Sequence, residues 1–122
     1  MHELPVAITR SDLSGLTWVA LEGELDLGGV GLVGDDLHRI CERCAHVVID
    51  ARGLRFVDLA GLRLLVDVGR RQRERGARIS LVPGPLVTRL ARLADMTSVL
   101  EGDDDPQILL GFAASSSPGP SP

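Results

Sequence analysis

The stretch Val47-Val-Ile-Asp-Ala-Arg-Gly-Leu-Arg-Phe-Val-Asp-Leu-Ala-Gly-Leu62 restricts the fold of this chain more than any other part of it. Val47 to Ile49 is a short apolar, β-branched run stopped by Asp50 and Gly53, the pattern of a buried strand. From Leu62 the period changes: Leu62, Leu65, Val66 and Gly69 recur at i, i+3, i+4 and i+7, which is one face of a helix. Asp58-Leu-Ala-Gly61 lies where the chain enters that helix, with Asp58 placed as its N-cap. The unpaired N–H groups of a helix start attract anions, so a phosphoryl group would be tolerated here.

The flanking sequence extends this unit in both directions. Pro5 to Thr9 and Leu16 to Leu21 read as strands joined by the polar turn Arg10 to Gly15, the second alternating Trp18, Ala20 and Glu22 against Val19 and Leu21. Gly23-Glu-Leu-Asp-Leu27 and the flexible Gly28-Gly29 lead into a predicted helix over 30–44. Its apolar face carries Val33, Leu37, Ile40, Cys41 and Cys44. After the 47–50 strand come a helix over 60–75 closed by Gly76, a strand over 78–82, and a helix opened by Pro83-Gly84-Pro85 that ends near Ala94. A last short strand is expected over 97–100 and a closing helix over 106–112. The Ser/Pro/Gly stretch 113–122 is expected to be a disordered tail. An opening hairpin followed by alternating helices and strands predicts an α/β domain: a mixed sheet with helices packed mainly on one face. At 122 residues there is room for one such domain, assigned to 1–112, and not for two.

Composition removes several functional classes. The only aromatic residues are Trp18, Phe56 and Phe112, so the core must be aliphatic and stacking platforms for single-stranded nucleic acid are lacking. A net charge of −4 argues against nucleic acid and anionic membrane as partners. Apolar runs are too short for a membrane span, and Met1-His-Glu-Leu-Pro5 has no signal-peptide pattern, so a cytoplasmic location is expected. No nucleophile elbow, phosphate-binding loop or dinucleotide fingerprint is present beyond a weak Gly28-Gly-Val-Gly31, and His2, His38 and His46 have no nucleophile set with them. No catalysis and no cofactor are expected.

Three side-chain groups have a plain structural reading beside a functional one. His38, Cys41, Cys44 and His46 contain four zinc-type ligands, yet both cysteines lie on the apolar helix stripe, where Cys packs as a small hydrophobe; no metal is expected. The Arg70–Arg78 cluster is a phosphate or nucleic-acid patch on one reading and a solvated helix end on the other. Asp103-Asp-Asp105 before Pro106 suits a helix start and lacks the spacing of a calcium loop.

Four local patterns, in order, resemble the STAS domains of anti-sigma factor antagonists over roughly residues 5 to 112. Gly23-Glu-Leu-Asp26 resembles that family's Gly-Glu-Leu/Ile-Asp, and Val47-Val-Ile-Asp50 its central strand. Phe56-Val-Asp58 with Gly61-Leu62 resembles its switch loop, and Arg70 to Gly76 with Ile79 to Val82 the helix end and strand beyond. The resemblance implies binding to a serine-kinase-type anti-sigma factor, which releases a sigma factor. The partner-binding surface would comprise Asp26, Asp58, Leu59, Ala60, Gly61, Leu62 and Arg63. In the family the loop usually reads Asp-Ser-Ser-Gly or Asp-Ser-Thr-Gly, and its second hydroxyl residue is phosphorylated. That position is Ala60, which has no oxygen to accept phosphate, so the resemblance implies a docking scaffold with no phospho-acceptor. It also leaves room for a structural subunit of a signalling or lipid/anion-transport assembly, for a homodimer and for a nucleotide-binding module.

Overall fold

The computed structural model describes residues 6–13 and 15–100, the side chain of Val99 excepted. Along the chain run β1 (Val6–Leu13), β2 (Leu16–Leu25), α1 (Val30–Glu42), β3 (His46–Val57), α2 (Leu59–Glu74), β4 (Arg78–Val82), α3 (Gly84–Leu93) and a 3₁₀ turn (Thr97–Leu100). The sheet order is β1-β2-β3-β4, with β1 antiparallel to β2 and the remaining pairs parallel. Parallel neighbours need a crossover, which α1 supplies between β2 and β3 and α2 between β3 and β4. The expected mixed α/β architecture is therefore present.

The three helices share one face of the sheet. Val33, Leu37 and Cys41 of α1, Leu62, Leu65 and Val68 of α2, and Val87 and Ala91 of α3 join Val19, Leu21, Val47 and Ile49 in one cluster. It is aliphatic apart from its two thiols, as the shortage of aromatics requires. Leu21, Leu25, Leu37 and Leu62 are fully buried, each burial favouring folding by about 1.5–3 kcal/mol. The opposite face holds a smaller cluster of Trp18, Val48 and Val82, so the alternation expected along β2 sorts its side chains to the two faces.

Three boundaries differ from the sequence expectation. The hairpin strands run longer, with β1 continuing through polar Arg10, Ser11 and Asp12, because an edge strand with one solvated face accepts polar residues. β3 does not stop at Asp50 or Gly53 but continues to Val57. A Cβ on Gly53 would lie 2.8 Å from the carbonyl oxygen of Leu21, so glycine here lets β2 approach closely instead of ending the strand. Residues 97–100 form a 3₁₀ turn instead of a strand; β-branched Thr97 and Val99 suggest extension, but the turn packs beside α3 and α2 and adds nothing to the sheet. The expected helix over 106–112, the tail 113–122 and the start of β1 at Pro5 lie outside the described residues.

Candidate partner-docking site

The loop after β2 and the loop after β3 meet at one end of the sheet, and Asp58 joins them. Its backbone is extended (φ −108°, ψ −175°), as an N-cap requires. Its Oδ1 accepts the backbone N–H of Gly61 at 2.9 Å, capping α2, while its Oδ2 accepts the backbone N–H of Leu27 at 3.0 Å. The Asp58 N–H in turn donates to the Leu25 carbonyl at 3.3 Å. One carboxylate thus fixes two loops, with each oxygen engaged by a backbone donor. Asp26 shapes the first loop: its Oδ1 accepts from Gly28 N–H at 3.1 Å and its carbonyl from the N–H groups of Gly29 and Val30.

Gly61 closes the junction. A Cβ there would stand 2.3 Å from the Leu25 carbonyl oxygen and 2.9 Å from its Cγ, so only glycine allows α2 to start this close to β2. The residues expected at the docking surface consequently divide. Leu59 and Arg63 are exposed, and Asp26, Asp58 and Ala60 are half-buried. Gly61 is buried and Leu62 is fully buried in the core, a correction to their placement on the surface: the i, i+3, i+4 stripe that begins at Leu62 turns it inward.

Two exposed leucines at this end escaped the sequence reading. Leu27, held by Asp58, is 75% exposed, and Leu32 in the first turn of α1 is 68% exposed. A leucine in a Gly-rich turn and a leucine off the buried stripe of its helix were the available signals. Leu59, the first residue of α2, is exposed as well. Neither Leu27-Gly-Gly29 nor Leu59-Ala-Gly61 contains a hydroxyl group.

The remaining sequence candidates settle elsewhere. Cys41 and Cys44 are free thiols buried in the core. Burial, reinforced by the neighbouring Cys44, pushes the Cys41 thiol up to about 12. His38 lies 3.3 Å from Asp67 of α2, and among the described residues no three His, Cys, Asp or Glu converge on a metal position. The Arg cluster is largely spent on the protein itself. Arg70 pairs with Asp67 and Glu74, Arg71 with Asp67, and Arg75 donates to the Cys41 and Cys44 carbonyls at the end of α1. Burial alone would raise the Asp67 carboxyl, but bonds and charge from Arg70, Arg71 and His38 outweigh it and hold it below its ordinary range.

A family model described as "Mlab, STAS domain" matches residues 9–101. The chain belongs to the STAS domain family. No curated protein matches the sequence. Among solved structures, an anti-sigma factor antagonist from Mycobacterium paratuberculosis superposes with a TM-score of 0.68 at 18% identity, over 88% of this chain and 93% of that one. The Bacillus cell fate determinant SpoIIAA in its phosphorylated form gives 0.61 at 16% identity, over 86% and 98%. A sulfate transporter family protein from Wolinella succinogenes gives 0.57 at 15% identity, over 72% and 73%. At such identities these likenesses establish the STAS fold and leave the partner open. No helix among the described residues is long and apolar enough to cross a membrane.

Proposed function

We propose that this STAS domain, spanning residues 1–112, is a non-catalytic cytoplasmic binding module that docks on a serine-kinase-type anti-sigma factor and thereby releases a sigma factor. The observation that carries the reading is the Asp58 clip, which sets the β2–α1 and β3–α2 loops into one surface with Leu27 and Leu59 facing solvent. Structural neighbours that are anti-sigma factor antagonists, matched over most of their length, support it. Contact is made by Leu59, Ala60 and Arg63 with Leu27 and Leu32. Asp26 and Asp58 hold the loops, because their carboxylate oxygens already accept backbone N–H groups.

Without a hydroxyl at position 60, the usual off-switch, in which phosphate adds about two negative charges and expels the partner, cannot operate there. The module is then an always-on antagonist, or one controlled by its abundance. Incubation with its cognate kinase and ATP is expected to leave the intact mass unchanged, while Ala60→Ser gains one phosphate. A stoichiometric adduct on the unaltered chain would overturn this. A second reading, a structural subunit of a transport assembly, draws on the sulfate transporter family neighbour, and would show as co-purification with membrane components instead of a kinase.

A further inference from the structure

β1 forms one border of the sheet, and among the described strands β2 is its single neighbour. Ala7, Thr9, Arg10, Ser11 and Asp12 are all exposed along it. Two residues separate Leu13 from Leu16, which pair across a turn in which Gly15 has φ 86°. In a two-residue hairpin the closing pair exchanges both backbone hydrogen bonds, and bonded pairs then alternate along the ladder. The register is unbroken, so Ala7, Thr9, Ser11 and Leu13 bond to β2. The N–H and C=O groups of Val6, Ile8, Arg10 and Asp12 point away from it, a template on which another strand can add. A groove of about 330 Å³ borders the same strand, between β1 and α1, with Val6, Ile8, Leu32, Val33 and Asp36 in its lining.

We propose that β1 is the interface of a homodimer, in which a second copy adds its own β1 antiparallel to this one. The sequence of the strand selects both the occupant and the register. A symmetric antiparallel pair places outward-bonding residues opposite one another. Near the middle of β1 two positions of the two-fold axis satisfy this, one through Arg10 and one through Thr9. The first sets the Arg10 side chain against its own symmetry copy, which like-charge repulsion disfavours. The second sets Ile8 opposite Arg10 of the second copy and Val6 opposite its Asp12. The whole outward-bonding stretch is then paired, with about eight backbone hydrogen bonds.

Side chains fit this register on both faces of the extended sheet. Away from the helices Thr9 meets Thr9 and Ala7 meets Ser11, small side chains at the closely spaced, non-bonded positions of the ladder. Toward the helices, Arg10 of each copy arrives opposite Ile8 at the groove of the other. There its aliphatic stem covers Ile8 and Leu32, and its guanidinium meets the Asp36 carboxylate. Within one chain Arg10 lies 3.5 Å from Asp12 and 3.8 Å from the Cys44 sulfur, contacts long enough to give way. Asp36 also pairs with Arg39 of its own helix and both are exposed, so the backbone ladder carries most of the association. A strand from another protein would gain the ladder, whereas a second copy repeats every side-chain contact twice by symmetry. The inference does not depend on the anti-sigma reading, because β1 alone makes the ladder.

Sedimentation equilibrium of the full-length chain over a dilution series is expected to show a monomer–dimer equilibrium. Ile8→Pro removes one outward N–H and leaves the bonds to β2 in place, so it is expected to be monomeric with an unchanged far-ultraviolet circular dichroism spectrum. Arg10→Asp is expected to weaken the dimer by roughly tenfold, and Arg10→Asp/Asp36→Arg to recover most of that loss. In a mixture of labelled and unlabelled chains, an intermolecular NOE between the Hα protons of Ala7 and Ser11 reads the register directly. A chain that is monomeric at every concentration would overturn the proposal and leave this edge to a strand of another protein. A dimer that both Ile8→Pro and Arg10→Asp leave intact would overturn it in favour of another surface.

Discussion

Gly61 and Asp58 bear most of the burden at the residue scale, and they do so in opposite ways. Gly61 contributes by having no side chain. In Gly61→Ala the added methyl would lie 2.3 Å from the Leu25 carbonyl oxygen, so α2 must shift away from β2. The expected loss is about 1–3 kcal/mol, measured as a lower urea midpoint at unchanged slope; an unchanged midpoint would mean the loops are not packed this closely. The capping role of Asp58 was legible, because an Asp before an apolar-periodic segment is a helix-start signal. Its bond to Leu27 was not, because that partner is brought there by the sheet pairing of β2 with β3.

On the other sheet face, Asp50 accepts from Trp18 Nε1 at 3.2 Å and from Arg52 Nη2 at 2.7 Å and Nε at 2.9 Å. Burial raises its carboxyl, but bonds to Arg52 and Trp18 and the Arg52 charge outweigh that and hold it below the usual carboxylate range. A depressed carboxyl stabilises the fold above its unfolded pKa, near pH 4, and loses that contribution as pH falls through its folded value. The stability difference between the unaltered chain and Asp50→Asn should therefore be constant near pH 6 and shrink as pH falls below about 4. A difference independent of pH across chemical denaturation series would refute the assignment.

At the scale of elements, α1 and α2 are coupled through the end of one and the last turns of the other. Gln72, buried at 1% exposure, donates through Nε2 to the Cys44 carbonyl at 2.8 Å and accepts from Arg75 Nη2 at 2.8 Å through Oε1. Arg75 itself donates to the Cys41 carbonyl at 2.6 Å. The basic residues closing α2 thus serve α1's carbonyls as well as their own helix dipole. Gln72→Leu removes the principal donor to the Cys44 carbonyl and is expected to cost about 1–3 kcal/mol in chemical unfolding. A neutral result would mean that Arg75, at 3.3 Å from the same carbonyl, or water suffices. Periodicity revealed α1, α2 and α3 because each has one buried stripe. It placed the end of β3 too early because Gly53 reads as a breaker, although its role is to admit β2. It misread 97–100 because four residues carry too little pattern to separate a strand from a 3₁₀ turn.

For the whole molecule, the order of elements and the four dispersed motifs made the STAS fold legible, since strand-crossover-strand units permit few arrangements. The composition of the docking surface was harder to see. Leu62 was expected outside and is in the core, whereas Leu27 and Leu32 face solvent, because which side of a helix start is covered depends on how close the neighbouring loop sits. In the proposed function, this end of the domain docks on a kinase-type anti-sigma factor by apolar contact and is not released through position 60. The most direct measurement is capture of partners from the native cytosol on the tagged protein, beside a Leu59→Asp variant, with mass spectrometry of what is bound. A kinase-type anti-sigma factor is expected on the unaltered chain, with at least a tenfold loss on the variant, about 1.4 kcal/mol. Recovery of transport components, or equal capture by both proteins, would contradict it.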